Sequence, residues 1–532
     1  MYMPRSSGIL LHPSSLPGSD GIGSLGKEAF RFVDWLKEAR QTLWQILPLG
    51  PTGYGDSPYA SLSTFAGNPL LIDIDTLADW GCLSAKQASE EKPEKTDRID
   101  FGSVVQKKIP LLKTAARQFL ADGNASSAQT ALHEEYENFK KEHDIWLSDY
   151  ALFMSIKEVF DEKAKKEENS GALWNNYWSR DLASHQTQAL SVWQAEHKDD
   201  IEIHKAVQFF FFKQWFTLKK YANDRGVCII GDIPIFVAAD SADVWSHQNL
   251  FQLDENGQPT VLAGVPPDYF SKTGQLWGNP LYNWDAMKNE GYDWWIRRLR
   301  HALHLTDYVR IDHFRGFEAY WAVPAGEQTA VNGTWMQGPG ADLFCAVCNT
   351  LKDASIIAED LGVITDGVRN LLKQFGFPGM KVLQFAFDTN EAGGAGCTNP
   401  FLPHMYEQNS VVYTGTHDND TTQGWLNHAS EAERALVNEY VCECIPGLKL
   451  TDEQLCPALI GAAFFSAARF AVIPLQDLFA LGSEARMNTP STCSGANWSW
   501  RMKDSQFSAE QAERLKRLSQ LSGRNTENGA CR

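Results

Sequence analysis

Tyr308-Val309-Arg310-Ile311-Asp312-His313 is the stretch on which the reading of this chain turns. Alternation along a strand sends Arg310 and Asp312 to one side and Val309 and Ile311 to the other, so an apolar strand ends in an acid beside a cation. Seven further β-branched or apolar runs recur, at residues 8–11, 43–49, 226–235, 355–360, 380–385, 411–418 and 470–477. Helical-period sequence separates them, for example at 28–39 and 294–305. Eight strands alternating with helices predict an α/β protein, a (β/α)8 TIM barrel. Such barrels place chemistry at the carboxyl ends of the strands. Here the third run carries Gly231-Asp232, the fourth Arg310-Ile311-Asp312-His313, the fifth Glu359-Asp360, the sixth Gln384 and the seventh Thr416-His417-Asp418. Any one of these is equally a solvated strand end; together they predict acids converging on one mouth.

Working outward, the 532 residues are read as a single catalytic barrel over 1–532 with helical insertions between strands. Roughly 175 residues separate runs two and three, far more than a βα crossover needs. Residues 81–205 are therefore expected to form a mainly helical insertion subdomain. Residues 522–532 read as a frayed polar tail. The short remainder after run eight leaves no room for a C-terminal β domain.

The 48 basic and 66 acidic side chains give a net charge of -18, which argues against nucleic acid or an anionic membrane as partner. Apolar runs such as 458–465 are too short to span a bilayer, and residues 1–11 lack a signal-peptide core. Ten cysteines lie mostly in apolar settings, Val227-Cys228-Ile229 among them, as expected of thiols in a reducing cytoplasm. Cys345 and Cys348 form a lone C-x-x-C in helical sequence and read as helix-face thiols. Gly21-Ile22-Gly23-Ser24-Leu25-Gly26 matches a dinucleotide fingerprint in spelling only, because no strand directly precedes it and no acid follows about 20 residues on.

The chemistry is read from the acids. Arg310 favours the ionised form of Asp312, as a nucleophile requires, although a structural ion pair has the same pattern. Glu359 emerges from Ile356-Ile357-Ala358, where desolvation and neighbouring carboxylates raise a pKa, the direction a general acid needs. With Asp418 there are three carboxylates: one to attack, one to shuttle a proton and one to bind. The first two roles are those of glycoside cleavage with retention. A divalent-cation site is the rival reading, which Arg310 and His417 weigh against. Sugar hydroxyls suit Asp, Arg, His and Gln, and the aromatics of segments 53–59 and 264–280 offer faces for sugar rings.

The residues resemble a known family. Arg310-x-Asp312, Glu359 and His417-Asp418, in that order, look like the signature of the α-amylase clan. The segments PLGPTGYGDSPY (48–59), GDIPIFV (231–237), AGVPPDYFS (263–271), RIDHFRGFEAYW (310–321), AEDLGVIT (358–365), GTHDNDT (415–421) and GSEARMN (482–488) are similar to those of amylomaltases, the 4-α-glucanotransferases of glycoside hydrolase family 77.

The resemblance implies Asp312 as nucleophile, Glu359 as acid/base and Asp418 as the carboxylate gripping the sugar at subsite -1. It implies Arg310, His313, His417 and Asp232 as further contacts there, with Ser57, Tyr59, Asp268, Gln275 and Trp277 around the cleft. Tyr54 is implied to belong to a second glucan groove, and residues 260–280 to an active-site lid loop. The implied reaction moves a segment of an α-1,4-glucan (maltooligosaccharide, amylose or glycogen) to the 4-hydroxyl of glucose or another glucan. No metal or organic cofactor is implied. The alternative is a retaining α-1,4-glucan hydrolase of the same clan.

Overall fold

The computed structural model describes residues 4–90, 92–94, 96–121, 127–267, 271–388, 397–442 and 448–524. Eight parallel strands form one sheet: β1 Ser6–Leu10, β2 Leu43–Gln45, β3 Cys228–Pro234, β4 Tyr308–Asp312, β5 Ile356–Ala358, β6 Gly379–Val382, β7 Ser410–Tyr413 and β8 Phe470–Pro474. Their spatial order is β6-β7-β8-β1-β2-β3-β4-β5. The ends of that sheet meet: Ala358 N–H donates to the Pro378 carbonyl at 2.9 Å, and Met380 N–H donates to Asp360 Oδ1 at 2.6 Å. The (β/α)8 barrel expected from the eight runs is the fold. Several strands are shorter than their apolar runs, β2 most of all, since Ile46–Leu49 stays buried after the chain has left the ladder.

Hydrophobic spacing explains the helices. In Lys27–Glu38, residues Ala29, Phe32, Val33 and Leu36 recur at helical period and are fully buried against the barrel. Each fully buried aliphatic or aromatic side chain contributes about 1.5–3 kcal/mol. Ala509–Leu521 follows β8 and packs on that same helix. Between β2 and β3 the long helices are Phe101–Ala121, Ser127–Lys166 and Lys198–Asp224. They join through Phe119, Tyr136, Phe139, Phe209, Phe210 and Phe212. Residue 205, the expected edge of the insertion, falls inside Lys198–Asp224, which also packs on β3; insertion and barrel share one helix. Among the described residues no helix is long and apolar enough to cross a membrane.

Three expectations are corrected. Residues 260–280 are not one loop: Val261–Val265 and Gln275–Pro280 pair antiparallel as a hairpin. Ala319–Pro324 and Thr334–Gln337 extend it to a four-stranded sheet. Glycine and proline interrupt these runs, which hid their alternation. The tail does not fray from 522: Arg524 is fully buried, donating to the carbonyls of Ser6, Phe464, Ala468 and Arg469 at 2.8–2.9 Å. Its charge, satisfied by backbone rather than by an acid, is invisible to a reading of polar composition. Cys228 is disulfide-bonded rather than a thiol.

Candidate active site

The pairing of β3 with β4 sets Asp232 opposite Arg310 and Pro234 opposite Asp312. Val309 and Ile311 are fully buried, leaving Arg310 and Asp312 on the other side of the strand. One Arg310 nitrogen, Nη1, donates to both oxygens of Asp232, at 2.8 and 2.6 Å, while Nη2 donates to Asp312 Oδ1 at 2.8 Å. The two acids hold the buried guanidinium above its ordinary pKa despite desolvation. Burial pushes the Asp232 carboxyl up to about 6 against the pull of Arg310. Tyr59 donates its hydroxyl to Asp232 Oδ2 at 2.9 Å. Asp312 is different: its side chain is 29% exposed, and among the described residues Oδ2 has no partner, leaving that oxygen open to attack.

Directly after Asp312 the chain turns through His313, whose φ of 53° is left-handed and brings its N–H toward β5. That N–H donates to Glu359 Oε2 at 2.8 Å, and Leu361 N–H donates to Oε1 at 2.7 Å. Phe314 N–H reaches the Glu359 carbonyl at 3.1 Å and Glu359 N–H the Ile311 carbonyl at 3.0 Å, so the ends of β4 and β5 are locked together. Desolvation, with the Asp312 charge behind it, raises Glu359 to about 7; Arg310 and the two N–H donors pull the other way. The acid thus keeps a substantial protonated fraction at neutral pH.

Past β7, the buried His417 approaches Asp418 Oδ2 at 3.3 Å. Burial opposes the charge on Asp418, but His417 and Asn488, whose Nδ2 donates to Oδ1 at 2.7 Å, hold the carboxyl well below the usual range. Asp418 in turn raises His417 against burial. The Tyr59 ring stacks on His417 at 5.1 Å, joining this group to Asp232.

The structure brings Asp232, Arg310, Asp312, His313, Glu359, His417, Asp418 and Tyr59 together. Trp277, 38% exposed, meets the His313 ring edge-on at 4.9 Å and donates to Gln275 Oε1 at 3.1 Å. Ser57 Oγ is engaged within its own loop, accepting from Tyr59 N–H at 3.2 Å. Tyr54 stands 84% exposed beside Cys493. Asp268 lies outside the described residues. Sequence reasoning missed Asn488 and Arg486: Arg486 donates to the Asp418 carbonyl and, through Nε, to the Asn488 carbonyl, both at 2.7 Å. Their segment, 482–488, lies after β8 and no strand alternation points to it; its likeness to amylomaltases as GSEARMN was the available signal, though it gave neither residue a role. His12, at the end of β1, was missed as well; burial and His417 lower its pKa to about 3. Among the described residues no group of three His, Cys, Asp or Glu is placed to hold a metal ion.

Fold and site define the class: a (β/α)8 barrel carrying two acids at adjacent strand ends, one half-open on an arginine and the other buried and raised in pKa, with a third across the mouth. The family model described as 4-alpha-glucanotransferase, glycoside hydrolase family 77, matches residues 11–507. The chain is 48% identical over 527 residues to the 4-alpha-glucanotransferase of Thermus thermophilus, covering 98% of this chain and 100% of that one. It is 44% identical to the chloroplastic/amyloplastic 4-alpha-glucanotransferase of Solanum tuberosum, covering 94% and 83%. The solved amylomaltase of Streptococcus agalactiae in complex with acarbose superposes with a TM-score of 0.89 at 38% identity, covering 98% of this chain and all of that one. The chain belongs to the 4-alpha-glucanotransferase family, glycoside hydrolase family 77.

Proposed function

We propose that this chain transfers a segment of an α-1,4-glucan to the 4-hydroxyl of glucose or another α-1,4-glucan by double displacement. The observation that carries the reading is the pairing of Asp312, with one oxygen on Arg310 and the other open, with Glu359, raised to about 7 on the neighbouring strand. Asp312 Oδ2 attacks the anomeric carbon; the bond to the glycosidic oxygen breaks and that oxygen takes the Glu359 proton. A covalent β-glucosyl ester remains on Asp312. Ionised Glu359 then removes the proton of an incoming 4-hydroxyl, whose oxygen displaces Asp312 and regenerates both acids with α configuration. Asp418, kept ionised by His417 and Asn488, faces the positive charge of the oxocarbenium-like transition state. Arg310, His313, His417 and Tyr59 fit the walls of that subsite, with Asp232 buried beneath Arg310 as their support, Ser57, Gln275 and Trp277 further along the cleft and Tyr54 in a separate glucan groove.

Transfer outruns hydrolysis when a bound acceptor raises the local hydroxyl concentration and water is kept out. The hairpin built from Val261–Val265 and Gln275–Pro280, with Trp277 on His313, is the element we assign to covering the acceptor side. Maltooligosaccharides, amylose and glycogen are the donors and glucose the smallest acceptor. A cytoplasmic setting fits the seven described free thiols.

Maltotriose alone, with EDTA present, tests the reading. Longer glucans plus glucose at constant total reducing ends are expected. Rising reducing ends would make the chain a hydrolase, and inhibition by EDTA would return the carboxylates to a metal. In a crystal structure the Asp312 and Glu359 carboxyl groups are expected about 5–5.5 Å apart.

A further inference from the structure

Thr334–Gln337 is the outer strand of the antiparallel sheet above the barrel mouth, and all four of its residues are exposed. Trp335 is 44% exposed. It pairs across the strands with Trp321, the two rings 5.3 Å apart and inclined at 68°. The guanidinium carbon of Arg315 lies 4.0 Å from the centre of the Trp335 ring. Arg315 follows the Asp312 nucleophile by three residues, and its Nη1 donates at 2.6 Å to the carbonyl of Val363, four residues past Glu359. Arg315 is buried, forms no ion pair among the described residues, and Nε has no hydrogen-bond partner. The loops after both reacting acids thus converge on one cation that supports an exposed indole. Val363, 65% exposed, extends that surface.

Core packing does not account for an indole left open on a buried arginine. A sugar ring suits the exposed indole, because its C–H face packs on the open side of the ring while the buried guanidinium holds the other. The side of the cleft follows from Glu359, which serves the glycosidic oxygen and hence the leaving and incoming chain; Val363 and Trp335 continue outward from it. Resting on the transfer reading above, we propose that Trp335, carried by Arg315, is the platform of an outlying acceptor subsite. It takes a glucose unit of an α-1,4-glucan several units from the bond being formed, and so selects long acceptors over short ones.

The test holds the donor at maltotriose and compares labelled glucose with labelled maltohexaose as acceptor. For Trp335→Ala the KM for maltohexaose is expected to rise about three- to ten-fold, with kcat and the KM for glucose unchanged. Trp335→Phe should recover most of the loss. Equal changes for both acceptors, or none, overturn the proposal. Absence of transfer by the unsubstituted chain would instead sink the transfer reading itself. A second measurement needs no change at 335: in the Glu359→Gln chain, maltohexaose should protect Trp335 from hydroxyl-radical oxidation and glucose should not. Equal oxidation with both sugars overturns it too.

Discussion

Arg310 holds two acids at once and leaves them in different states. Asp232 is sealed beneath it, while Asp312 keeps one oxygen free. Glu359 is raised to about 7, and as the acid/base proposed above it would give activity a definite pH limb. The acid must be protonated for the first displacement, so kcat/KM should fall on the alkaline side with an apparent pKa near 7, read from a pH–rate profile. Replacing it, Glu359→Gln, should lower kcat by about 10³-fold or more, while glucan binding persists by calorimetry. Asn488 belongs to the same scale. Without its donor Asp418 loses one of the groups that keep it ionised, so Asn488→Ala is expected to lower kcat about 10- to 100-fold with little change in KM. A loss confined to KM would show that Asn488 serves ground-state binding.

At the scale of elements, the site exists because strand ends are brought to fixed heights. The turn at His313 lets the loop after Asp312 donate to Glu359, and the ladder between β3 and β4 sets Asp232 against Arg310. Close strand approach has its own requirement in β1. A Cβ on Gly8 would lie 2.1 Å from the Leu43 carbonyl oxygen and 2.4 Å from its Cβ, both parts of β2 that cannot move without breaking the ladder. Gly8→Ala is expected to destabilise the fold by about 3 kcal/mol or more, measured by urea unfolding. An unchanged midpoint would mean that β1 and β2 can separate at that point.

On the whole-molecule scale, one hydrophobic core runs from the barrel into the helices between β2 and β3. The barrel's lower end is fastened by two arginines from opposite ends of the chain. Arg524 and Arg5 both donate to carbonyls of the 464–468 turn, and Arg524 also reaches Ser6 at the foot of β1. Burial and the neighbouring Arg5 lower Arg524 to about 9. Arg524→Ala strands several buried carbonyls and should cost about 2–4 kcal/mol in thermal unfolding, leaving transfer kinetics at low temperature unchanged because the contacts lie at the end opposite the acids.

The eight barrel strands were legible because each is a short apolar run, and parallel strands buried on both faces must be. The acids were legible because an ionisable group closing such a run has few structural reasons to be there. The sheet carrying Trp277 and Trp335 was not, since its pairing joins residues as far apart as Val261 and Pro324 and no local period announces that. Nor were Asn488, Arg486 and His12: each acts by touching a residue of a distant strand, and only closure of the barrel sets that proximity. Residue order by itself determined the architecture and pointed to the acids at the strand ends, since patterning and residue type are local properties. Tertiary structure alone decided which donors meet Glu359 and Asp418, because a pKa depends on the donors, charges and buried walls within a few ångströms, and closure of the barrel sets them.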